Sequence, residues 1–425
     1  MRSSWFGFTK TAAGRRFALL SLGQLVSVVG SRVAAFAGSV WILQTTGQVA
    51  DFGVSLLCTV LPGLVLAPWL GQVVDRRPRR QMLLGADFAL LVLALLGALA
   101  VARGSLWGFW AVQAASSVLN RLVLVTLQSS TSSLVEDEIL PSSNALFGLA
   151  VGVGDLVGPL IGGFLVGFLP AWAPFALDAA TFGVSLLATL TLALQWPSVT
   201  NRAQPAFFQG LASAAGLVRP QRVLTAMLML SASLNASIGL LDMLVAPVAL
   251  HLGDARVLGG VLALYAFGAA ASSAVASAVP MPRPAAVYAA CGVTFGTAQV
   301  ALALWPGLFA MRLAGFIMAF AAGVSAVAST TEWQRRTPTQ QQGSVFAFRS
   351  FMTEWPTPAA MALATVSAGP LSSWVSPLAV AGLAGGAEAE LRGPALLLLG
   401  GAVVTLVVVA ANAAALIRAA PVSRS

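Results

Sequence analysis

Charged side chains inside long apolar runs are the residues of this chain that can do chemistry. They are scarce, because 58% of the 425 residues are hydrophobic and only 9% are charged. An acid in such a run can bind and release a proton, and an arginine can pair with that acid or hold an anion. A charge at that depth is costly and marks a functional site by default. The candidates for a substrate or proton site are Arg32, Asp155, Glu354, Arg121, Arg312 and Asp242.

Arg32 and Asp155 form the central expectation within this set, because each lies near the middle of its run. A single unpaired charge there costs at least about 2.5 to 3.5 kcal/mol, so we expect the two to pair at the central cavity or its wall. Movement of Arg32 would then load and release a proton at Asp155. Counting from "SNAL" and "GSVF" makes Glu354 the counterpart acid in the second half of the chain. We expect Asp178 and Arg349, near the ends of their runs, to be structural.

Twelve apolar runs must position these charges, each of the roughly 20 residues that cross a bilayer. Helices are expected, because a lipid-exposed backbone must satisfy its own hydrogen bonds and the runs are too long for barrel strands. The prediction is an all-α membrane protein with twelve transmembrane helices in two six-helix pseudo-repeats. The spans, one to twelve, are residues 17–44, 52–74, 82–102, 106–127, 145–169, 172–194, 223–250, 257–278, 285–305, 308–330, 345–368 and 394–417.

The longest connection, residues 195–221, divides the spans into two halves. We predict an N-terminal bundle over residues 1–200, a cytoplasmic linker over 201–222 and a C-terminal bundle over 223–425. Apolar residues at helical spacing predict an amphipathic helix in the linker. The strings "GRRFALLSLGQ" and "PQRVLTAMLML" before spans one and seven indicate parallel repeats, which are typical of secondary transporters. The linker residues at that helical spacing are Phe207, Phe208, Leu211, Ala215 and Val218.

Basic residues fix the orientation, since they concentrate in cytoplasmic segments. With the N-terminus inside, only Arg103, Arg256 and Arg392 fall on the far side of the membrane. Both termini are therefore expected in the cytoplasm. The cytoplasmic basic residues are then Arg2, Lys10, Arg15, Arg16, Arg76, Arg77, Arg79, Arg80, Arg202, Arg219, Arg222, Arg283, Arg335, Arg336, Arg418 and Arg424.

Several classes of protein are excluded by composition. The formal charge of +9 does not indicate nucleic-acid binding, because the arginines sit in short clusters between spans. Lys10, the only lysine, does not follow a glycine-rich phosphate loop. His251, Cys58 and Cys291 are too few and too dispersed for a metal site or a disulfide framework. A membrane-embedded enzyme needs a cluster of catalytic groups near one membrane face, so we predict no catalytic residue, no cofactor and no metal.

The loop "GQVVDRRPRR" between spans two and three concentrates charge in a pattern. It resembles the loop motif of the major facilitator superfamily, with matches at Gly71, Asp75, Arg76, Arg79 and Arg80. A generic positive-inside loop would explain the arginines but neither the glycine nor the aspartate.

The resemblance suggests a gate for this loop. One of its arginines would pair with the acidic run Glu136, Asp137 and Glu138 after span four. Asp75 would face the start of span eleven near Gly343 and Ser344, where free amides favour an anion. Both contacts would exist only when the cytoplasmic side is closed.

Span five holds "GVGDLVGPLIGG". Its residues Gly154, Gly158, Pro159, Gly162 and Gly163 resemble the signature of the exporters of the superfamily. Small residues at every fourth position let a neighbouring helix approach closely, and the proline bends the span. Plain helix packing is the alternative interpretation of this motif.

Across most of the chain the strings "GQLVSVVGSR", "LVEDEILPSSNAL" and "RRTPTQQQGSVFAF" are similar to the enterobactin-exporter-like and macrolide-efflux-like subgroup. The chain departs from proton antiporters in span four, where Trp110 replaces the expected arginine before Gln113 and Ala114. Span ten retains a partial echo in Arg312 and Gly315, and the loop "PMPRPAA" lacks the acidic and paired basic residues.

The resemblance implies a monomeric secondary transporter of the bacterial inner membrane. It would work by alternating access and export a medium-sized amphipathic compound, such as a siderophore, peptide metabolite or drug, in a proton-linked or gradient-driven manner. Its partners would be this small molecule and membrane lipid. Trp41, Trp110 and Trp355 are candidates for the pocket lining or for interfacial anchors. The alternatives are an importer or facilitator of a small metabolite and a transport-inactive sensor.

Replacing Asp75 with Asn tests the gate. We expect a shift of the inward-facing and outward-facing populations by about 1 to 3 kcal/mol, with altered transport kinetics, because the closed side loses one contact. Distances between spin labels on the two halves would report the populations. Asp51→Asn, at the other end of the same span, is the control, and unchanged kinetics and populations in Asp75→Asn would contradict the gate.

Overall fold

The computed structural model describes residues 12–134, 154, 157–158, 161–191, 207–253, 255–279, 281–305, 307–337, 342–374 and 392–418. The chain divides into two compact units, Met1–Ala203 and Gln204–Ser425. In the described ranges every regular element is a helix and no strand occurs. The prediction of an all-helical membrane protein is therefore confirmed.

The first unit contains five long helices and part of span five. Residues 161–166 of span five are helical, as are Gly154 and Gly158. Gly47 and Gly104 follow the ends of two helices with φ of 68° and 67°, a left-handed conformation that glycine adopts without steric cost. The long helices are α1 (Ala12–Thr46), α2 (Val49–Arg76), α3 (Arg79–Ala102), α4 (Leu106–Leu134) and α5 (Ala173–Thr191).

The second unit begins with a short helix in the connection and continues with the helices of spans seven to twelve. In order they are α6 (Phe207–Val218), α7 (Arg222–His251), α8 (Ala255–Ala278), α9 (Pro284–Leu304), α10 (Leu308–Arg336), α11 (Gln342–Glu354), α12 (Pro356–Trp374) and α13 (Arg392–Ile417).

Nine helices among the described residues are long and apolar enough to cross a membrane. Three of the predicted spans are not among them. Span five is described only in part, span eight contains a shorter apolar helix at Val257–Ser272, and span eleven is divided. The total of twelve spans stays a prediction.

Span eleven differs from its expected form of one helix over residues 345–368. It consists of α11 and α12, which meet at Trp355. Pro356 has no backbone N–H, and its ring disfavours a helical conformation of the preceding residue. The interruption therefore follows from "EWPTP", a proline signal inside an otherwise apolar run.

Equivalent pairs of helices pack together in the two units. In the first unit, α2 packs on α4, α3 on α5 and α4, and α1 on α5 and α2. In the second unit, α8 packs on α10, α9 on α13 and α10, and α7 on α13 and α8. Each unit thus repeats the same arrangement, in line with the parallel repeat that the sequence indicates.

Two apolar clusters hold the first unit together and leave a polar level between them. One joins α1, α3, α4 and α5 through Leu20, Leu90 and Phe182. The other joins the same four helices nearer their opposite ends, through Phe109 and Phe175. The polar side chains described next lie within or between these clusters.

Candidate functional site

Helix α1 lies directly against the glycines of span five. A Cβ on Gly158 would collide with the Cβ of Arg32. On Gly154 or Gly162, a Cβ would come within 2.9 Å of other atoms of α1. Any larger side chain at Gly158 would push the two helices apart. The glycines therefore allow the Cβ of Arg32 to lie directly against span five.

The Arg32 side chain is exposed, so this contact does not enclose its charge. Asp155 and Pro159 of the same motif lie outside the described residues, while Gly163 is buried. The contact of helices one and five is thus observed, whereas the pairing of Arg32 with Asp155 stays a prediction.

Asp87 is a completely buried acid at the junction of α1, α3 and α5. Its Oδ2 accepts hydrogen bonds from Gln24 Nε2 at 3.1 Å and from Ser185 Oγ at 2.8 Å. Gln24 also donates to Ser185 Oγ at 2.6 Å. Oδ1 is buried and has no hydrogen-bond partner among the described residues. Both donors bond Oδ2, so a proton on Oδ1 would leave these two bonds in place.

Asp178 is a second buried acid, which lies where α5 packs on α1. Its Oδ1 accepts hydrogen bonds from Ser31 Oγ at 3.2 Å and from Thr181 Oγ1 at 3.3 Å. The bond from Ser31 links α5 to α1. The structural role of Asp178 stays a prediction.

Helix α1 contacts both buried acids, Asp87 and Asp178. Gln24 and Ser31 are seven positions apart, which is about two helical turns, and so are Ser185 and Asp178 on α5. Arg32, the neighbour of Ser31, meets span five instead. A shift of α1 would therefore alter its contacts with two buried acids and with the span-five motif together.

In the second unit a glycine again allows two helices to approach closely, but here the glycine is on the helix that corresponds to α1. Gly239 of α7 supplies the small residue, and a Cβ there would collide with the carbonyl oxygen of Thr357 on α12. Thr357 also donates its hydroxyl to the Asn235 carbonyl oxygen at 3.2 Å. Glu354 is half-buried and lies three positions before Thr357.

Arg349 of α11 is surrounded by aromatic and hydroxyl groups. Its Nη2 donates to Ser329 Oγ at 3.2 Å, and its Cζ lies 5.6 Å from the ring centroid of Trp333 and 5.7 Å from that of Phe346. Such cation–π contacts stabilise a guanidinium that is partly removed from water. The structural role of Arg349 stays a prediction.

The remaining charged candidates lie on three different helices. Arg312 on α10 lies over Gly260 on α8, with Nη2 3.4 Å from the position that a Cβ on that glycine would take. Arg121 is half-buried on α4, and Asp242 is exposed on α7. Within the described part of the chain, no group of histidine, cysteine and acidic side chains could hold a metal ion.

The three tryptophan candidates lie in different surroundings. Trp41 packs edge-on against Phe109, next to an apolar cluster. Trp110 contacts Trp107, and Trp355 contacts Phe351 at the interruption of span eleven. The Nε1 atoms of Trp110 and Trp355 are buried without a hydrogen-bond partner in the described residues.

Arg80 of the loop motif contacts the end of a neighbouring helix. Arg80 Nη2 donates to the Leu190 carbonyl oxygen at 3.0 Å, at the C-terminal end of α5. A cation there stabilises the free carbonyls of a helix end. Asp75 and Arg76 belong to the last turn of α2, but their side chains, like residues 136–138, lie outside what the structure describes.

Asp87 is the residue that sequence reasoning missed. It lies five positions inside span three, so the rule that a charge within a span marks a site would have included it. Its partners Gln24 and Ser185 carry no such signal, because uncharged polar residues are common in these spans.

The fold and these buried polar groups define an integral multi-pass membrane protein of the transporter class. A bacterial homologue of the human lysosomal transporter Spinster, in its inward-facing and unoccupied conformation, superposes with a TM-score of 0.70 at 13% identity, covering 96% of this chain and 98% of that one. A mutant form of the nucleoside transporter NupG gives 0.68 at 11% identity, covering 94% and 99%. No curated protein matches the sequence.

The chain belongs to the Major Facilitator Superfamily, whose family model matches residues 20–360. The resemblance that the loop and span-five motifs carry is thus confirmed at the level of the superfamily. Membership favours a transporter over an enzyme, and transporters of this family bind small-molecule substrates.

Substituting Gly158 with Ala tests the contact between α1 and span five. We expect a loss of about 1 to 3 kcal/mol in the free energy of unfolding, because the added methyl meets the Arg32 Cβ. Gly85→Ala is the matched control, since a Cβ there meets nothing within 4 Å and alanine favours a helix by about 0.5 to 1 kcal/mol. Thermal unfolding in detergent would show opposite shifts, and a rise in both variants would contradict the contact.

Substituting Ser185 with Ala tests the hydrogen bonds to the buried Asp87 carboxyl. The variant should lose about 1 to 3 kcal/mol, because a buried acid is left with fewer donors. Ser39→Ala is the control, since Ser39 is equally buried but bonds only the Ala35 carbonyl of its own helix. A double variant with Asp87→Leu should lose less than the sum of the single changes, and strict additivity would contradict the coupling.

Proposed function

We propose that the chain is a secondary active transporter that exports a medium-sized amphipathic compound by alternating access in exchange for protons. A siderophore, a peptide metabolite and a drug fit this class. The observation that carries the proposal is the contact of Gly158 with Arg32, which joins the exporter-type motif to a charged residue of helix one. The protein would act as a monomer in the bacterial inner membrane, with both termini in the cytoplasm.

The export direction rests on the resemblance of the span-five motif to the exporter signature. Gly154, Gly158 and Gly162 all face α1, so the spacing of the motif is used for a close helix contact. This contact would let α1 and span five move as one body during alternating access. The enterobactin-exporter-like and macrolide-efflux-like subgroup is the one within the superfamily that we propose for the chain.

Proton coupling would run through Asp155 and its pairing with Arg32. Asp155 lies three positions before Gly158, about one turn along span five from the contact with Arg32. An arginine beside the acid stabilises its charged form, and withdrawal of the arginine favours the neutral form. Asp87, which is hydrogen-bonded to Gln24 of the same helix α1, would add a second proton-binding acid.

Glu354 would be the equivalent acid of the second unit. Gly158 meets α1 and Thr357 meets α7, and Asp155 and Glu354 each lie three positions before these contacts. The repeat strings align Arg32 with the residue before Gly239, so the contact positions on α1 and α7 also correspond within one residue.

The loop motif would gate the cytoplasmic side. Asp75 would bind near Gly343 and Ser344 when that side is closed, and one of Arg76, Arg79 and Arg80 would bind the acidic run Glu136 to Glu138. The observed bond from Arg80 to Leu190 supports a role of the loop in tying helix ends together.

An importer or facilitator of a small metabolite is the second candidate. The similarity in fold to NupG, named as a nucleoside transporter, makes a nucleoside one substrate to test. A transport-inactive sensor would bind a compound without moving it.

Substrate-dependent collapse of a pH gradient in vesicles tests the proposed function. An exporter should draw the compound into everted vesicles, acid inside, and release protons from the lumen as it does so. Uptake confined to right-side-out vesicles would indicate import, and binding without flux in liposomes would indicate a sensor.

Asp155→Asn tests the coupling residue. Gradient-driven flux should fall by more than about tenfold, equivalent to about 1.4 kcal/mol, while binding of the compound persists. Asp51→Asn, at the end of α2, is the matched acid control. A variant whose transport keeps its full dependence on pH would remove Asp155 from the mechanism.

A further inference from the structure

We propose that the second unit binds an anionic phospholipid of the cytoplasmic leaflet in a groove between the ends of its helices. The groove has a volume of about 710 Å³, within the usual range of a ligand site. Four arginines line it, together with apolar and small residues of α7 and α13. We call it the arginine groove, defined by Arg219, Arg222, Arg336 and Arg418.

Chain geometry brings these four side chains to one place. Arg222 is the first residue of α7, Arg336 is the last residue of α10, and Arg418 directly follows α13. Helix α7 packs against both α10 and α13, and residues at these three helix ends line one groove.

The fourth arginine is held by the turn between α6 and α7. Pro220 ends α6, and the Val218 carbonyl accepts hydrogen bonds from the Gln221 N–H at 2.9 Å and from the Thr225 hydroxyl at 3.3 Å. This compact turn sets Arg219 on the same groove as Arg222. A lipid bound to the four arginines would therefore join the end of α6 to the ends of α7, α10 and α13.

The charge of the groove suits a phosphate. Arg336 is ion-paired with Glu332 of its own helix, whereas Arg219, Arg222 and Arg418 are exposed. Among the described residues that line the groove none is acidic, so together these residues carry a net positive charge. A guanidinium presents donors in a planar fork that matches phosphate oxygens.

The apolar wall distinguishes a lipid from a soluble anion. Met229 of α7 and Ala411 and Ala414 of α13 line the groove and are exposed. On α13 the exposed strip continues through Val407 and Val404 at helical spacing. Because this strip is apolar and exposed, an acyl chain can run along it while the phosphate stays at the arginines.

The inference uses the predicted orientation but not the transported compound. That orientation puts the groove at the cytoplasmic face, where anionic lipids attract basic side chains by about fivefold in affinity per residue. It can therefore fail while export holds, or hold while export fails.

Native mass spectrometry of the purified full-length chain in detergent tests the site. The probes are phosphatidylglycerol and phosphatidylcholine with identical acyl chains, and inorganic phosphate alone. We expect phosphatidylglycerol adducts in preference to phosphatidylcholine, and a roughly 30-fold weaker affinity in Arg222→Gln/Arg418→Gln. The matched control is Arg283→Gln, an exposed arginine at the same end of the unit but outside the groove.

Three outcomes would overturn the proposal. They are equal binding of the two lipids, equal loss in the control and the double variant, and stabilisation by phosphate that matches that by phosphatidylglycerol, which would indicate an ion site. Thermal unfolding without lipid shows whether the double variant is folded. If it is not, each single substitution should weaken phosphatidylglycerol binding by about fivefold, and no change in either would refute the site.

Discussion

The cost of leaving a polar group unpaired inside the bilayer governs the arrangement of the first unit. Asp87 and Asp178 are buried on α3 and α5, where water cannot solvate them. Each finds its donor on α1, Asp87 at Gln24 and Asp178 at Ser31. The position of α1 relative to its neighbours is therefore fixed by hydrogen bonds at two levels, between and within the apolar clusters.

Close packing at glycines is the second constraint, and the two units meet it in opposite ways. In the first unit the glycine is on span five and the larger residue, Arg32, is on α1. In the second unit the glycine is on α7 and the larger residue, Thr357, is on α12. Either arrangement lets the two helices approach closely. The equivalent contact is therefore present in both units, although the glycine and the larger residue have exchanged helices.

The charges of the chain fall into two groups with different physical roles. Those at helix ends, such as Arg80 on the Leu190 carbonyl, stabilise free backbone groups and lie where water or headgroups solvate them. Those at mid-span must pair or be held neutral, and a change of partner there alters the free energy of a whole conformation. A transporter that couples protons to movement needs charges at mid-span. In the first unit, α1 contacts the buried acids Asp87 and Asp178.

By itself the sequence determined the membrane class, the superfamily and most helix positions, because run length, arginine placement and the two glycine motifs are local signals. It also contained the proline signal that divides span eleven at Trp355. The partners of the buried polar groups were decided by tertiary structure. Asp87 meets Gln24 and Ser185 across 63 and 98 positions of sequence, and no spacing rule connects them. Which faces of three helices meet depends on packing along their whole lengths, so only the folded chain brings the carboxyl to its two donors.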